Sequence, residues 1–148
     1  MKRPLLGIVM LALVWFIFIL NTLAFEHYWY WIYEWFDMPM HFLGGFWVGG
    51  TIIWILGAFL KRRFASTRGG YLLSVVGLAM VIGLLWELFE FSIDTFITFH
   101  MNDIVDTLSD LLMDFLGATV AYVLFSRQKD TSATALHEES SSVDTPLG

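Results

Sequence analysis

The stretch LLGIVMLALVWFIFILNTLA, residues 5–24, contains no charged side chain. A helix rises about 1.5 Å per residue, so about twenty residues cross a hydrocarbon core about 30 Å thick. A membrane-crossing helix is therefore expected here. A cleaved signal peptide would also follow a basic start such as Met1-Lys2-Arg3. Against that, the apolar region is too long, and Thr22-Leu23-Ala24 makes a weak cleavage site.

Three more stretches have the same character, at residues 42–60, 71–91 and 107–125. Backbone groups in lipid must bond within their own segment, which leaves the helix as the form for runs this long. Short strands of alternating polarity, as in a membrane β-barrel, are absent. The composition agrees. Of the 148 residues, 57% are hydrophobic and only 15% are charged. A soluble domain of this size has more polar surface to face water. The expected fold class is all-α: a four-transmembrane-helix bundle forming one domain over residues 1–125. Residues 126–148, rich in Ser, Thr and acids and carrying His137, are expected to be a disordered tail.

All eight Lys and Arg residues fall in three places. Lys2 and Arg3 precede the first span. Lys61, Arg62, Arg63 and Arg68 lie between the second and third. Arg127 and Lys129 follow the fourth. Four crossings put all three places on one side, and the positive-inside rule makes that side cytoplasmic. The expected location is the bacterial inner (plasma) membrane, with both termini inside. The segment FEHYWYWIYEWF, residues 25–36, then lies at the outer face. Its Trp and Tyr rings suit the headgroup layer, so a short interfacial helix is expected.

With topology set, ten of the fourteen acids lie on the outer half: Glu26, Glu34, Asp37, Glu87, Glu90, Asp94, Asp103, Asp106, Asp110 and Asp114. No Lys or Arg lies there. Acids within a bilayer cost several kcal/mol each unless paired or hydrated. Glu26, Glu34, Asp37, Asp94 and Asp103 suit solvated loops. The others have helical spacing. Glu87 and Glu90 share one face of span three. Asp106, Asp110 and Asp114 stack along span four, although Asp106 also suits a helix start. Asp37 and His41 are four apart at the entrance to span two. Three helices thus offer polar stripes at one depth. Carboxylates on facing helices are how bundles build oxygen-rich metal centres. The expected ligands to a divalent metal ion are Glu87, Glu90, Asp106, Asp110 and Asp114, with His41 as general base or further ligand. His27 and His100 are expected to stand apart.

At these residues the sequence resembles the VanZ-like membrane proteins, and more closely the YjdF-like group of small bacterial membrane proteins. The matching pieces are Asp37-Met38-Pro39-Met40-His41-Phe42 with Gly44 and Gly45, Trp86-Glu87-Leu88-Phe89-Glu90, and Asp106-Thr107-Leu108-Ser109-Asp110 with Gly117-Ala118. VanZ-like members tend to have Asn where this chain has Asp114. YjdF-like members tend to have Arg where it has Trp86. The resemblance implies the architecture and the site, and no particular reaction.

Three function classes follow. One is a metal-dependent hydrolase acting from the outer face on a lipid-linked or envelope substrate. A second handles cations or protons, in which case a homo-oligomer would have to extend the polar path inward. A third is a non-catalytic module with a structural ion. Membrane lipids are the expected partners. Nucleic acid is excluded because no dense basic patch exists. The chain has no cysteine, hence no disulfide or thiolate site. Phosphate-loop and nucleophile motifs are also absent.

The topology has a direct test. Tags fused at residue 1 and residue 148 should both be shielded from an impermeant reagent in intact cells, and labelling at either end would refute the orientation.

Overall fold

A computed structural model describes residues 3–33, 35–64, 67–93 and 104–126. Among these the chain is helical throughout: α1 (Arg3–Glu26), α2 (Trp29–Ile32), α3 (Asp37–Phe64), α4 (Arg68–Ile93) and α5 (Ile104–Phe125). Four of the helices, α1, α3, α4 and α5, are long and apolar enough to cross a membrane. Glu34, Asp94, His100, Asp103 and the tail beyond residue 126 lie outside the described residues.

The helices extend past the expected limits at their acidic ends. α3 starts at Asp37 rather than near residue 42. The carboxylate sits in the first turn, where it meets the positive end of the helix dipole. Pro39 follows at a position whose N–H would be unpaired anyway, so it does not break the helix. α5 starts at Ile104, which places Asp106 inside its first turn rather than before it. The aromatic segment contains the short helix expected, the four residues of α2, and Tyr28 before them turns the chain with a left-handed backbone, φ 60°.

The tightest packing joins α3 to α5. A Cβ added to Gly45 would strike the backbone of Asp114, and one on Gly49 would lie 2.9 Å from Ala118 Cα. Gly117 returns the contact against the backbone of Phe42 and Phe46. Both partners advance by four residues, so α3 and α5 run parallel. Such close approach requires small residues on both sides. Ala118 and Ala121 are fully buried beside this seam.

α4 runs antiparallel to this pair. Its Gly83 faces the Asp114 carboxylate, while its Tyr71 meets Gly57 of α3 and the Tyr122 ring of α5. α1 is the outermost helix and buries only Leu6, Gly7, Met10 and Ala24. It docks on α3 through Met10, whose sulfur meets Gly50 and whose carbonyl accepts from Trp47 Nε1 at 3.0 Å. The core around Leu6, Met10, Ile53, Leu60 and Val75 fills the half away from the acids. Much of the outside is exposed Leu, Ile, Val, Phe and Trp. In water that surface would be a liability, whereas in lipid it is ordinary.

Charge divides between the two ends. Arg3 donates to Trp54 O at 3.2 Å, Lys61 lies 5.6 Å from the Tyr71 ring centroid, and Tyr122 donates to Arg68 O at 2.9 Å. These contacts gather Arg3, Lys61 and Arg68 at one end of the bundle. Asp37, Glu87, Glu90, Asp106, Asp110 and Asp114 occupy the other.

Two neighbouring glycines test the seam. Gly44 has nothing within 4 Å of an added Cβ, whereas Gly45 has helix backbone. Gly45→Ala should lower stability by about 1–3 kcal/mol, the usual range for overpacking. Gly44→Ala should be neutral or slightly stabilising, because Ala is the better helix former. Thermal unfolding of both variants in detergent measures the difference.

Candidate functional site

The seam decides which side chains meet. Because the backbone of Asp114 lies against Gly45, its carboxylate projects between α3 and α4, toward His41. His41 stands one turn before Gly45 on α3. α4 then adds Glu87 and Glu90 from a single face.

The imidazole of His41 lies between two pairs of carboxylates. On one side Nδ1 is 3.5 Å from Asp114 Oδ2 and 3.8 Å from Glu87 Oε1. On the other, Nε2 is 3.8 Å from Asp37 Oδ1 and 3.9 Å from Glu90 Oε2. The two pairs differ in their access to water. The Glu87 and Asp114 side chains are 5% and 9% exposed, while those of Asp37 and Glu90 are 31% and 34% exposed. Asp110 is the most deeply buried acid, at 2%. The ring therefore separates a dry carboxylate pair from a hydrated one.

Five of the expected residues come together in this way: His41, Glu87, Glu90, Asp110 and Asp114. Asp106 is exposed in the first turn of α5 and stands at the rim. Asp37, read from the sequence both as a solvated acid and as one turn from His41, is 31% exposed and lies 3.8 Å from the imidazole, in the first turn of α3. His27 stands apart as expected. Its Nδ1 donates to Leu23 O at 3.0 Å, within its own helix.

Two buried carboxylate oxygens, Glu87 Oε1 and Asp110 Oδ1, have no hydrogen-bond partner among the described residues. A buried carboxylate oxygen left in this state is costly. Two sets of donors are close enough to share an ion: Asp37, His41 and Asp110, and His41, Glu87 and Glu90, each within 4.8 Å of one another. Donors about 2.0–2.6 Å from one ion stand no more than about 5 Å apart, so both sets fit.

Several contributors were not singled out from sequence. Gly83 leaves the space that the Asp114 carboxylate fills. The Trp86 indole lies beside Glu90, and the Thr107 hydroxyl beside Glu87. Tyr30 of α2 donates to Asn21 Oδ1 of α1 at 2.7 Å, its ring held 5.2 Å from both Phe25 and Phe36. Its phenol is pushed to higher pKa by burial first, then by Asp37 and Glu90. Trp86 and Thr107 fall inside the quoted motif pieces, but no motif marks Gly83 or Tyr30. A single Gly or Tyr among many has no distinguishing spacing.

The profile of a family described as "predicted membrane protein", DUF2238, matches residues 2–131. The chain belongs to this family. The DUF2238 match spans all four long helices and every residue of the cluster. No curated protein and no solved structure matches the chain.

The Tyr30–Asn21 bond links α1 and α2 at the rim. Tyr30→Phe should cost about 1 kcal/mol, the usual net value of such a bond. Tyr33→Phe, at an exposed ring, should cost nothing measurable. Chemical denaturation in mixed micelles resolves the pair.

Proposed function

We propose that the cluster around His41 is a divalent-cation site at the outer face of the bacterial plasma membrane, and that it serves the hydrolysis of a lipid-linked or envelope substrate. The observation that carries this reading is the pair of buried, unpartnered oxygens on Glu87 and Asp110. They point into a group of acids that no Lys or Arg can neutralise, because all eight basic residues fall elsewhere in the chain. Carboxylates this close in a low-dielectric setting repel strongly, and a cation converts that cost into binding.

The ligands in this proposal are Glu87, Glu90, Asp110 and Asp114, with Asp106 at the rim. An oxygen-rich set with one imidazole nearby suits Mn²⁺, Mg²⁺ or Zn²⁺. A bound divalent ion would supply Lewis acidity toward a phosphoryl or carbonyl oxygen. His41 is the proposed general base. Asp114, 3.5 Å from Nδ1, can hold the proton on that nitrogen and so orient the ring, which leaves Nε2 as the basic nitrogen. Nε2 faces the more exposed side, at Asp37 and Glu90, where water can approach.

The order of the Asp37–His41, Glu87–Glu90 and Asp106–Asp110 motifs, which resembles the VanZ-like and YjdF-like pattern, supports a shared site. The grouping of Arg3, Lys61 and Arg68 supports cytoplasmic termini and a membrane unit over residues 1–125 followed by a cytoplasmic tail. A second reading, cation or proton handling, is favoured by one observation. The hydroxyls of Thr51, Thr119 and Tyr71, further from the acidic end, are also buried without partners. A path through the bundle or through a homo-oligomer would use such groups.

Metal analysis of the purified protein separates these readings. Stoichiometric Mn²⁺ or Zn²⁺ is expected, with loss in Asp110→Asn. Saturating ion at 100 times its dissociation constant should stabilise the wild type by about 2.7 kcal/mol and the variant by far less. Absence of metal, together with pH-driven ion flux in proteoliposomes, would overturn the hydrolase reading in favour of the second.

A further inference from the structure

α4 and α5 do not stay together along their whole length. They touch where Gly83 meets the Asp114 carboxylate and where Tyr71 meets Tyr122. Outward from Gly83 they separate, leaving a cleft of about 320 Å³, at the lower end of the range for ligand sites. Its α4 wall is Leu84, Glu87, Leu88 and Phe91, the i, i+3, i+4, i+7 stripe of one helix face. Its α5 wall is Ile104 and Thr107.

Two features distinguish this cleft from an ordinary groove on a lipid-facing surface. The first is Glu87, a residue 5% exposed with an unpartnered oxygen, which belongs both to the cleft and to the His41 cluster. The second is its position, since the lining residue Glu87 lies 3.8 Å from His41 Nδ1 and so joins the cleft to the buried side of the imidazole. The apolar wall residues Leu84, Leu88, Phe91 and Ile104 are all more than half exposed. In a membrane those surfaces face acyl chains.

We propose that the cleft between α4 and α5 admits a single-chain lipid phosphate from the side, its hydrocarbon against Leu84, Leu88 and Phe91 and its phosphate at a cation held beside Glu87. The inference rests on the cation site proposed above, since a phosphate can approach these carboxylates only when a cation offsets their charge. A simple phosphate lacks the chain contacts and binds less tightly. The burial of apolar chain atoms against the wall is what selects an amphiphile over an inorganic anion.

The test uses the full-length protein in lipid nanodiscs loaded with Mn²⁺, and hexadecyl phosphate carrying a photoreactive diazirine on its chain. Cross-links mapped by mass spectrometry should concentrate at residues 84–91 and 104–107. Unlabelled hexadecyl phosphate should compete, and inorganic phosphate at the same concentration should not. Leu88→Trp, which fills the cleft from an exposed position, should reduce labelling at least tenfold, whereas Leu124→Trp at the other end of α5 should not. Mn²⁺ uptake, followed by paramagnetic resonance, should be the same in both variants. Even labelling around all lipid-facing helices, full competition by inorganic phosphate, or unchanged labelling in Leu88→Trp would overturn the cleft while leaving the cation site intact. Failure of the wild type to take up Mn²⁺ would instead overturn the cation site on which the inference rests.

Discussion

The contact between Gly45 and the backbone of Asp114 sets the positions of everything polar in this protein. Two parallel helices approach so closely there that neither side has room for another carbon. Lipid supplies no hydrophobic drive for helices to associate, so close packing and polar contacts must do it. Gly49, Gly117, Ala118 and Ala121 extend the same surface. The approach also brings Asp110 and Asp114 within reach of His41. The seam and the cluster are therefore one construction. Widening it by one methyl group would both loosen the packing and separate the acids from the imidazole.

The cluster adds an opposing force. Several carboxylates share a small volume, with one imidazole and no Lys or Arg among them in the described residues. Their repulsion works against the packing that gathers them. A structure that served only stability would have apolar residues at these positions, because replacing buried charges by well-packed apolar groups is often neutral or stabilising. The buried oxygens of Glu87 and Asp110 sharpen the point, since neither accepts a hydrogen bond among the described residues. Strain held in place by rigid helices is the usual mark of a site adapted to bind something.

Much of this was legible in the sequence, for identifiable reasons. The spans followed from uninterrupted apolar length, and the clustering of Glu87, Glu90, Asp110 and Asp114 followed from helical spacing. The helix that Gly45 and Gly49 meet was not legible, because glycines four apart mark a face without saying what packs on it. The spacing of Asp37 and His41 followed from the same helical rule, but the helix start at Asp37 did not, because its distance from the apolar run suggested a loop. Tyr30, Gly83 and Thr107 act through tertiary position alone, and no periodicity reveals that. The two-sided environment of His41 belongs to the same category: exposure is a property of the assembled bundle.

The parallel pairing of α3 with α5 has a consequence for how the protein is made. Helices adjacent in sequence can pair as a hairpin as soon as both have entered the membrane, but α3 and α5 are separated by the whole of α4. The tightest contact in the bundle is thus also among the last that synthesis can form. Until α5 arrives, the glycine face of α3 has only lipid or α4 against it, and His41 and Glu87 wait without Asp110 and Asp114. A chain stalled or cut within the connection before α5 would keep three apolar helices in the bilayer and have no assembled centre. Membrane insertion and site formation are in this way separate events, and the second depends on the final helix.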